Sequence, residues 1–210
     1  MAKWKMGCMI LSVCSTNCYY MYDEESGKAI VVDPADRGQA IYDTLQEKGL
    51  QVESILLTHG HFDHIGGCEK LRELSGAKVY ALEEEKEVCE NPSLNLSSSF
   101  GKGFGISADV YVKDGEEITI ADITCKVIAT PGHTIGSCCY YFESVNILFS
   151  GDTLFEESVG RTDFPTGSMS AIVRSIKEKL FVLPDNLKVY SGHGGTTSIA
   201  HEKEYNPFCQ

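Results

Sequence analysis

The chain has 210 residues, 42% hydrophobic and 23% charged, and its 18 Lys+Arg against 30 Asp+Glu give a formal net charge of −12. This is the balance of an ordinary soluble globular protein, and no run approaches the ~18 consecutive apolar residues of a membrane span. A disordered tail, a collagen-like fibre and a membrane bundle are therefore excluded, and without a basic face neither a nucleic acid nor a membrane is expected as a partner.

Residues 9–13, 18–22 and 29–32 read as strands, with Ser26-Gly27 as a turn. The apolar run before Cys14 is too short for a signal peptide and lacks a small-residue cleavage site, so a first strand is the expectation. Asp33-Pro34 then breaks the chain. A helix is expected over residues 39–48, with Ile41 and Leu45 four apart and Gly49 past its end. Residues 54–58 read as a short buried strand, 68–74 as a second helix and 78–82 as another strand. The run Glu83-Glu84-Glu85-Lys86-Glu87 reads as a solvated helix face. Residues 83–108 are loop-rich, and 110–149 read as a β-meander. A helix is expected over 168–180, with Ser168 as its N-cap and Ile172 and Ile176 four apart, and residues 187–190 give the last strand. Strands alternating with helices around a meander predict an α/β protein whose helices cover sheet faces.

Nine Cys, an odd number without CxxC pairs, read as reduced thiols of a cytoplasmic protein, several of them filling core space. Cys14 and Cys18 are spaced CxxxC, which matches no redox motif.

The chemistry-bearing residues recur at one kind of place. Residues 55–58 lead into His59, 127–130 through Pro131-Gly132 into His133, 147–150 through Gly151 into Asp152, and 189–191 through Gly192 into His193. Each time an apolar strand delivers a metal-capable side chain at its C-terminal end, the edge where sites in α/β sheets gather. The densest segment, His59-Gly60-His61-Phe62-Asp63-His64, packs four such side chains into six residues, and these could not be buried without metal or pairing. The sixth histidine, His201, reads as a surface residue. Imidazole with carboxylate suits Zn²⁺ first, and also Fe or Mn. His59, His61, Asp63, His64, His133, Asp152 and His193 are too many for one tetrahedral ion. Two ions sharing a ligand fit better, with Asp152 as the natural bridge. Two ions ~3.5–4 Å apart supply a hydroxide nucleophile at neutral pH.

His59-x-His61-x-Asp63-His64, Pro131-Gly132-His133, Gly151-Asp152 and Gly192-His193 resemble, in order, the ligand motifs of the metallo-β-lactamase superfamily. The likeness runs from about Cys18 to Phe208. Gly151-Asp152-Thr153-Leu154-Phe155, the segment from Ser158 to Pro165 and the tail from His201 to Pro207 are similar to the small bacterial glyoxalase II-type hydrolases. The resemblance implies an αβ/βα four-layer sandwich of two mixed sheets flanked by helices. It implies one metal on His59, His61, His133 and Asp152, and a second on Asp63, His64, His193 and Asp152. It also implies hydrolysis of an acyl thioester, S-lactoylglutathione being the family's usual substrate, with Asp63 orienting the second metal.

The β-lactamases of the best-known class carry Cys where Asp152 stands, which disfavours antibiotic hydrolysis. Only residues 194–210 follow the last motif. A single domain over 1–210 is therefore expected, without the helical C-terminal domain that supplies glutathione contacts in standard glyoxalase II. Arg161 is a candidate for an anionic part of the substrate, or for an ion pair with Asp163 or Glu157.

Persulfide dioxygenases are similar around Gly160-Arg161-Thr162-Asp163-Phe164. Their resemblance implies a single iron on the His59, His133 and Asp152 positions, with His61 not required. A lactonase-type hydrolase of the same superfamily is a further alternative, and a metal-stabilised binding module is the non-catalytic one. A closed four-coordinate structural site would not use seven ligands, and a nuclease fits the acidic chain poorly.

Overall fold

The computed structural model describes residues 3–210. In chain order the first half holds β1 (Trp4–Leu11), β2 (Thr16–Asp23), β3 (Lys28–Val32), α1 (Gly38–Glu47), β4 (Gln51–Leu56), α2 (Phe62–Ile65), α3 (Cys68–Ser75), β5 (Lys78–Leu82), α4 (Lys86–Glu90) and β6 (Val110–Val112). The second half holds β7 (Glu117–Ile120), β8 (Ile123–Ala129), β9 (Cys138–Phe142), β10 (Ile147–Gly151), β11 (Leu154–Phe155), β12 (Ser158–Val159), α5 (Met169–Ser175), β13 (Lys188–Ser191), β14 (Thr196–Ser198) and α6 (Ile199–Tyr205). A π-helical turn over Ile176–Leu180 continues α5.

Two six-stranded sheets, in the orders β1-β2-β3-β4-β5-β6 and β14-β13-β10-β9-β8-β7, carry the fold, with β11-β12 as a small ribbon. Both sheets are mixed: β3, β4, β5 and β6 run parallel, as do β10 and β13, and the other pairings are antiparallel.

Alternation along the central strands shows why two buried faces need apolar runs rather than an alternating pattern. In β3, Ala29 and Val31 join Ile41 and Leu45 of α1 and Leu71 of α3, while Ile30 and Val32 point the other way into the core between the sheets. In β9, Cys138, Tyr140 and Phe142 enter that same inter-sheet core, and Cys139 and Tyr141 pack under Ile172, Ile176 and Leu180. Three apolar layers thus separate four layers of structure, the metallo-β-lactamase fold expected from the sequence. Ser168 caps α5 by accepting the Ala171 N–H.

Two expectations change. The first strand begins at Trp4 and stops at Leu11, because Ser12 and Ser15 turn the chain with φ of 62° and 58°. Residues 110–112 leave the meander and add to the first sheet beside β5. Asp109 fixes that choice: its N–H donates to the Val79 carbonyl (2.9 Å) and its carboxylate accepts the Val79 N–H (2.8 Å). The remaining meander is β7-β8-β9-β10. Seven Cys are buried, all nine are free, and Cys8 and Cys14 are exposed. No helix among the described residues is long and apolar enough to cross a membrane.

Candidate metal centre

All seven candidate side chains meet at one edge of the sandwich. His59 and His61 follow β4, and the single turn of α2 carries Asp63 and His64 side by side. The β8–β9 loop delivers His133, the end of β10 Asp152 and the end of β13 His193. Two trios form. His59, His61 and His133 place one nitrogen each within 4.8 Å of one another, and Asp63, His64 and His193 do the same with their ligand atoms. His61 Nδ1 lies 2.9 Å from His133 Nε2, and His64 Nε2 lies 3.3 Å from His193 Nε2. Asp152 stands between the trios, its Oδ2 3.5 Å from His133 Nε2 and 3.4 Å from His193 Nε2, its Oδ1 3.4 Å from His64 Nε2.

The surrounding hydrogen bonds fix which ring nitrogens face inward. His64 Nδ1 donates to Asp33 Oδ2 (2.9 Å) and His133 Nδ1 to the Arg161 carbonyl (2.7 Å), so the Nε2 of each ring faces the site. Thr58 Oγ1 donates to Asp33 Oδ2 (2.6 Å) and therefore accepts from His59 Nδ1 (3.2 Å), which leaves the His59 Nε2 lone pair free. Thr16 Oγ1 donates to Asp63 Oδ2 (2.8 Å). Such outer contacts orient metal-binding rings and raise their basicity.

The electrostatics call for a cation. Asp33, Asp63 and Asp152 are all buried, and among the described residues no Lys or Arg pairs with them. Buried His59 Nε2 and Asp152 Oδ1 make no hydrogen bond, an arrangement that is costly unless an ion satisfies them; His61 turns its Nδ1 toward His133 Nε2. Burial and the neighbouring imidazoles push His59 well below the usual histidine range and His61 down to about 3. Burial also lowers His133. His64 is the opposite case: burial would lower it, but the carboxylates of Asp152, Asp63 and Asp33 prevail and hold it at about 10. Burial opposes ionisation of Asp152, yet His64, His193 and His133 keep it below the usual carboxylate range. Three neutral imidazoles, a second set rich in carboxylate and one shared aspartate form a donor set for two divalent ions.

Glu85 corrects the expectation of a solvated acidic face. It is 1% exposed. Its carboxylate accepts from the Gly60 N–H (2.8 Å), the Gly136 N–H (2.8 Å) and the Thr134 hydroxyl (2.9 Å), tying the His59–His61 loop to the His133 loop. Asp33, like the four anticipated positions, follows an apolar strand at its C-terminal end, so the same signal points to it. Arg161 takes the ion pair with Asp163, one of the two readings the sequence offered: its Nε and a terminal nitrogen each donate 2.7 Å to Asp163, and its guanidinium stacks 3.9 Å over Phe164. His201 sits apart, 3.1 Å from Glu157.

A cavity of about 670 Å³ opens above the trios. Asp63, His61, His133, Asp152 and His193 line its base, and Phe62, Phe100, Phe155 and Phe164 its walls.

Comparison with known proteins identifies the family. The sequence model of the metallo-β-lactamase superfamily matches residues 11–193. A probable metallo-hydrolase, YqgX of Bacillus subtilis, is 35% identical over 98% of this chain and 97% of its own length. The hydroxyacylglutathione hydrolase GloC of Haemophilus influenzae is 31% identical over 91% and 92%. Among solved structures, the BLEG-1 B3 metallo-β-lactamase superposes with a TM-score of 0.93 at 36% identity, covering 98% of this chain and 99% of that one. TTHA1623 in a di-iron-bound form gives 0.86 at 30% identity, with 96% and 99% covered. ETHE1 from Myxococcus xanthus gives 0.79 at 32%, with 97% and 83% covered. With the family matched along most of the chain and the fold shared with its solved members, the chain belongs to the metallo-β-lactamase superfamily.

Proposed function

We propose that this protein is a dinuclear metal-dependent hydrolase of acyl thioesters. His59, His61 and His133 would hold the first ion, Asp63, His64 and His193 the second, and Asp152 would serve both. When bound, the two ions supply a water-derived hydroxide nucleophile and polarise the acyl carbonyl oxygen. The net reaction adds water across the acyl C–S bond and yields a carboxylic acid and a free thiol.

The chain's own residues do the positioning. Asp33 and Arg161 O hold the His64 and His133 rings with Nε2 inward. Thr16 orients Asp63. Phe62, Phe100, Phe155 and Phe164 give the acyl group apolar walls.

The observation that carries this proposal is Asp152, placed within 3.5 Å of a nitrogen of each trio beneath an open cavity. The likeness to the Haemophilus hydroxyacylglutathione hydrolase supports the thioester. Zinc is the metal first expected from this donor set, and the di-iron form of TTHA1623 supports iron as the second choice. The free cysteines support a cytoplasmic site of action, and the acidic chain a small-molecule substrate rather than a nucleic acid.

The likeness to Myxococcus ETHE1 leaves one competing proposal open, a mononuclear iron dioxygenase acting on persulfides. The complete second trio, which a single iron does not need, weighs against it. The test is hydrolysis of S-lactoylglutathione, a lactone and a β-lactam by the zinc-loaded protein, beside oxygen uptake with a persulfide by the iron-loaded protein. Thioester cleavage with two ions per chain fits the proposal. Persulfide-dependent oxygen uptake with one iron replaces it.

A further inference from the structure

The cavity above the centre is aromatic where a glutathione carrier would need charge. Phe62 and Phe100 stack with centroids 4.3 Å apart and planes 23° apart. Phe164 lies 5.6 Å from the His61 ring of the first trio, and Phe155 lies 6.1 Å from the His193 ring of the second. Aromatic rings therefore approach the base from both sides. Leu96 and Val159 extend the apolar wall.

Among the described residues the lining holds one Arg and no Lys: Arg161, whose Nε and one terminal nitrogen are held by Asp163 and whose face lies over Phe164. A glutathione thioester brings two carboxylates and an ammonium, and in this lining its anionic groups meet one guanidinium already shared with Asp163. A coenzyme A thioester brings several phosphates and fits worse. Phe100 is also 65% exposed at the mouth, and with Val13 and Phe104 it lines a second cavity beyond the Phe62–Phe100 pair, where Lys102 and Asp36 stand among the polar groups. An exposed apolar strip of this kind marks a surface that an apolar ligand covers.

We infer that the site selects a neutral thioester with an apolar, ring-sized acyl group, which lodges between the Phe62–Phe100 pair and Phe155 and Phe164. This rests on the thioesterase proposal and narrows it: the thiol carrier is uncharged, and Phe100 is a specificity-determining residue.

The experiment crosses two acyl groups, phenylacetyl and lactoyl, with two thiols, N-acetylcysteamine and glutathione, on the metal-loaded protein. Phenylacetyl-N-acetylcysteamine is expected to exceed S-lactoylglutathione in kcat/KM by about tenfold or more, the scale on which an apolar pocket discriminates. The variant F100A, an exposed change that spares the core, is expected to shrink the phenylacetyl-over-lactoyl ratio about threefold or more, through KM. Calorimetric titration of the same protein with the uncleavable thioethers S-(2-phenylethyl)-N-acetylcysteamine and S-(2-hydroxypropyl)glutathione separates the two claims. Preferential binding of the phenylethyl compound without turnover of any thioester overturns the hydrolase proposal and leaves the pocket's preference standing. An equal or reversed preference, binding of neither thioether, or an F100A ratio like that of the wild type overturns the inference itself.

Discussion

Asp33 and His64 form a buried pair, Oδ2 to Nδ1 at 2.9 Å, on the side of the imidazole away from the other candidate ligands. Asp33 reaches it from a left-handed backbone position (φ 51°), held by its own N–H on the Leu56 carbonyl and by Thr58, which donates to it from both N (2.8 Å) and Oγ1. One carboxylate thus orients His64 directly and His59 through Thr58. In D33N an amide must face one of three donors. We expect metal affinity to fall by about 10–100-fold, the usual effect of losing such a support. Competition with a coloured chelator measures it, and an unchanged affinity would show that Asp33 does not orient the ligands.

Gly192 lies against the shared aspartate. A Cβ there would sit 2.2 Å from Asp152 Oδ1 and 2.7 Å from His64 Cε1. Either Asp152 turns away or the His64 ring shifts, so G192A is expected to lose bound metal while remaining folded, at a cost of about 1–3 kcal/mol from overpacking. Elemental analysis beside a thermal melt decides it: a folded G192A with full metal content contradicts the placement of Asp152.

Burial pushes the Glu85 carboxyl up to about 7, against the opposing effect of hydrogen bonds from Gly60, Thr134 and Gly136. Because its folded pKa lies above its unfolded one, its stabilising contribution is complete below about pH 4.5 and is lost as pH rises through about 7, a change of about 3 kcal/mol at most. E85Q does not titrate and mismatches one amide N–H, so it is expected to be less stable than the wild type by about 1–3 kcal/mol near pH 5. The gap should narrow by pH 8. Urea unfolding of both proteins with chelator present cancels the histidine cluster, which is common to the two. A gap that stays constant with pH would show that Glu85 does not titrate there.

How much of this was legible in the sequence follows from the range of the forces involved. Strands buried on both faces appear as unbroken apolar runs, and β9 with its Cys138-Cys139-Tyr140-Tyr141 is one. The seven side chains that meet at the edge were visible because each follows such a run or shares one helical turn. The partner of β6 was not visible, since three residues carry no register and the hydrogen bonds that the Asp109 backbone and carboxylate make to Val79 decide it. Glu85 was hidden for the opposite reason: its neighbours Glu83 and Glu84 are exposed, and only loops distant in sequence, at Gly60 and Gly136, make its burial favourable. The Arg161 pair with Asp163, two residues on, was within reach of the sequence, whereas its stacking over Phe164 depends on loop geometry.

The central claim is that Asp152 joins two cation sites. The direct measurement is metal per chain, by elemental analysis of wild type and D152A purified without chelator and supplied with zinc, iron and manganese. Two ions per wild-type chain and at most one in D152A is the predicted result. Two ions retained by D152A, or none in the wild type at saturating metal, would contradict it.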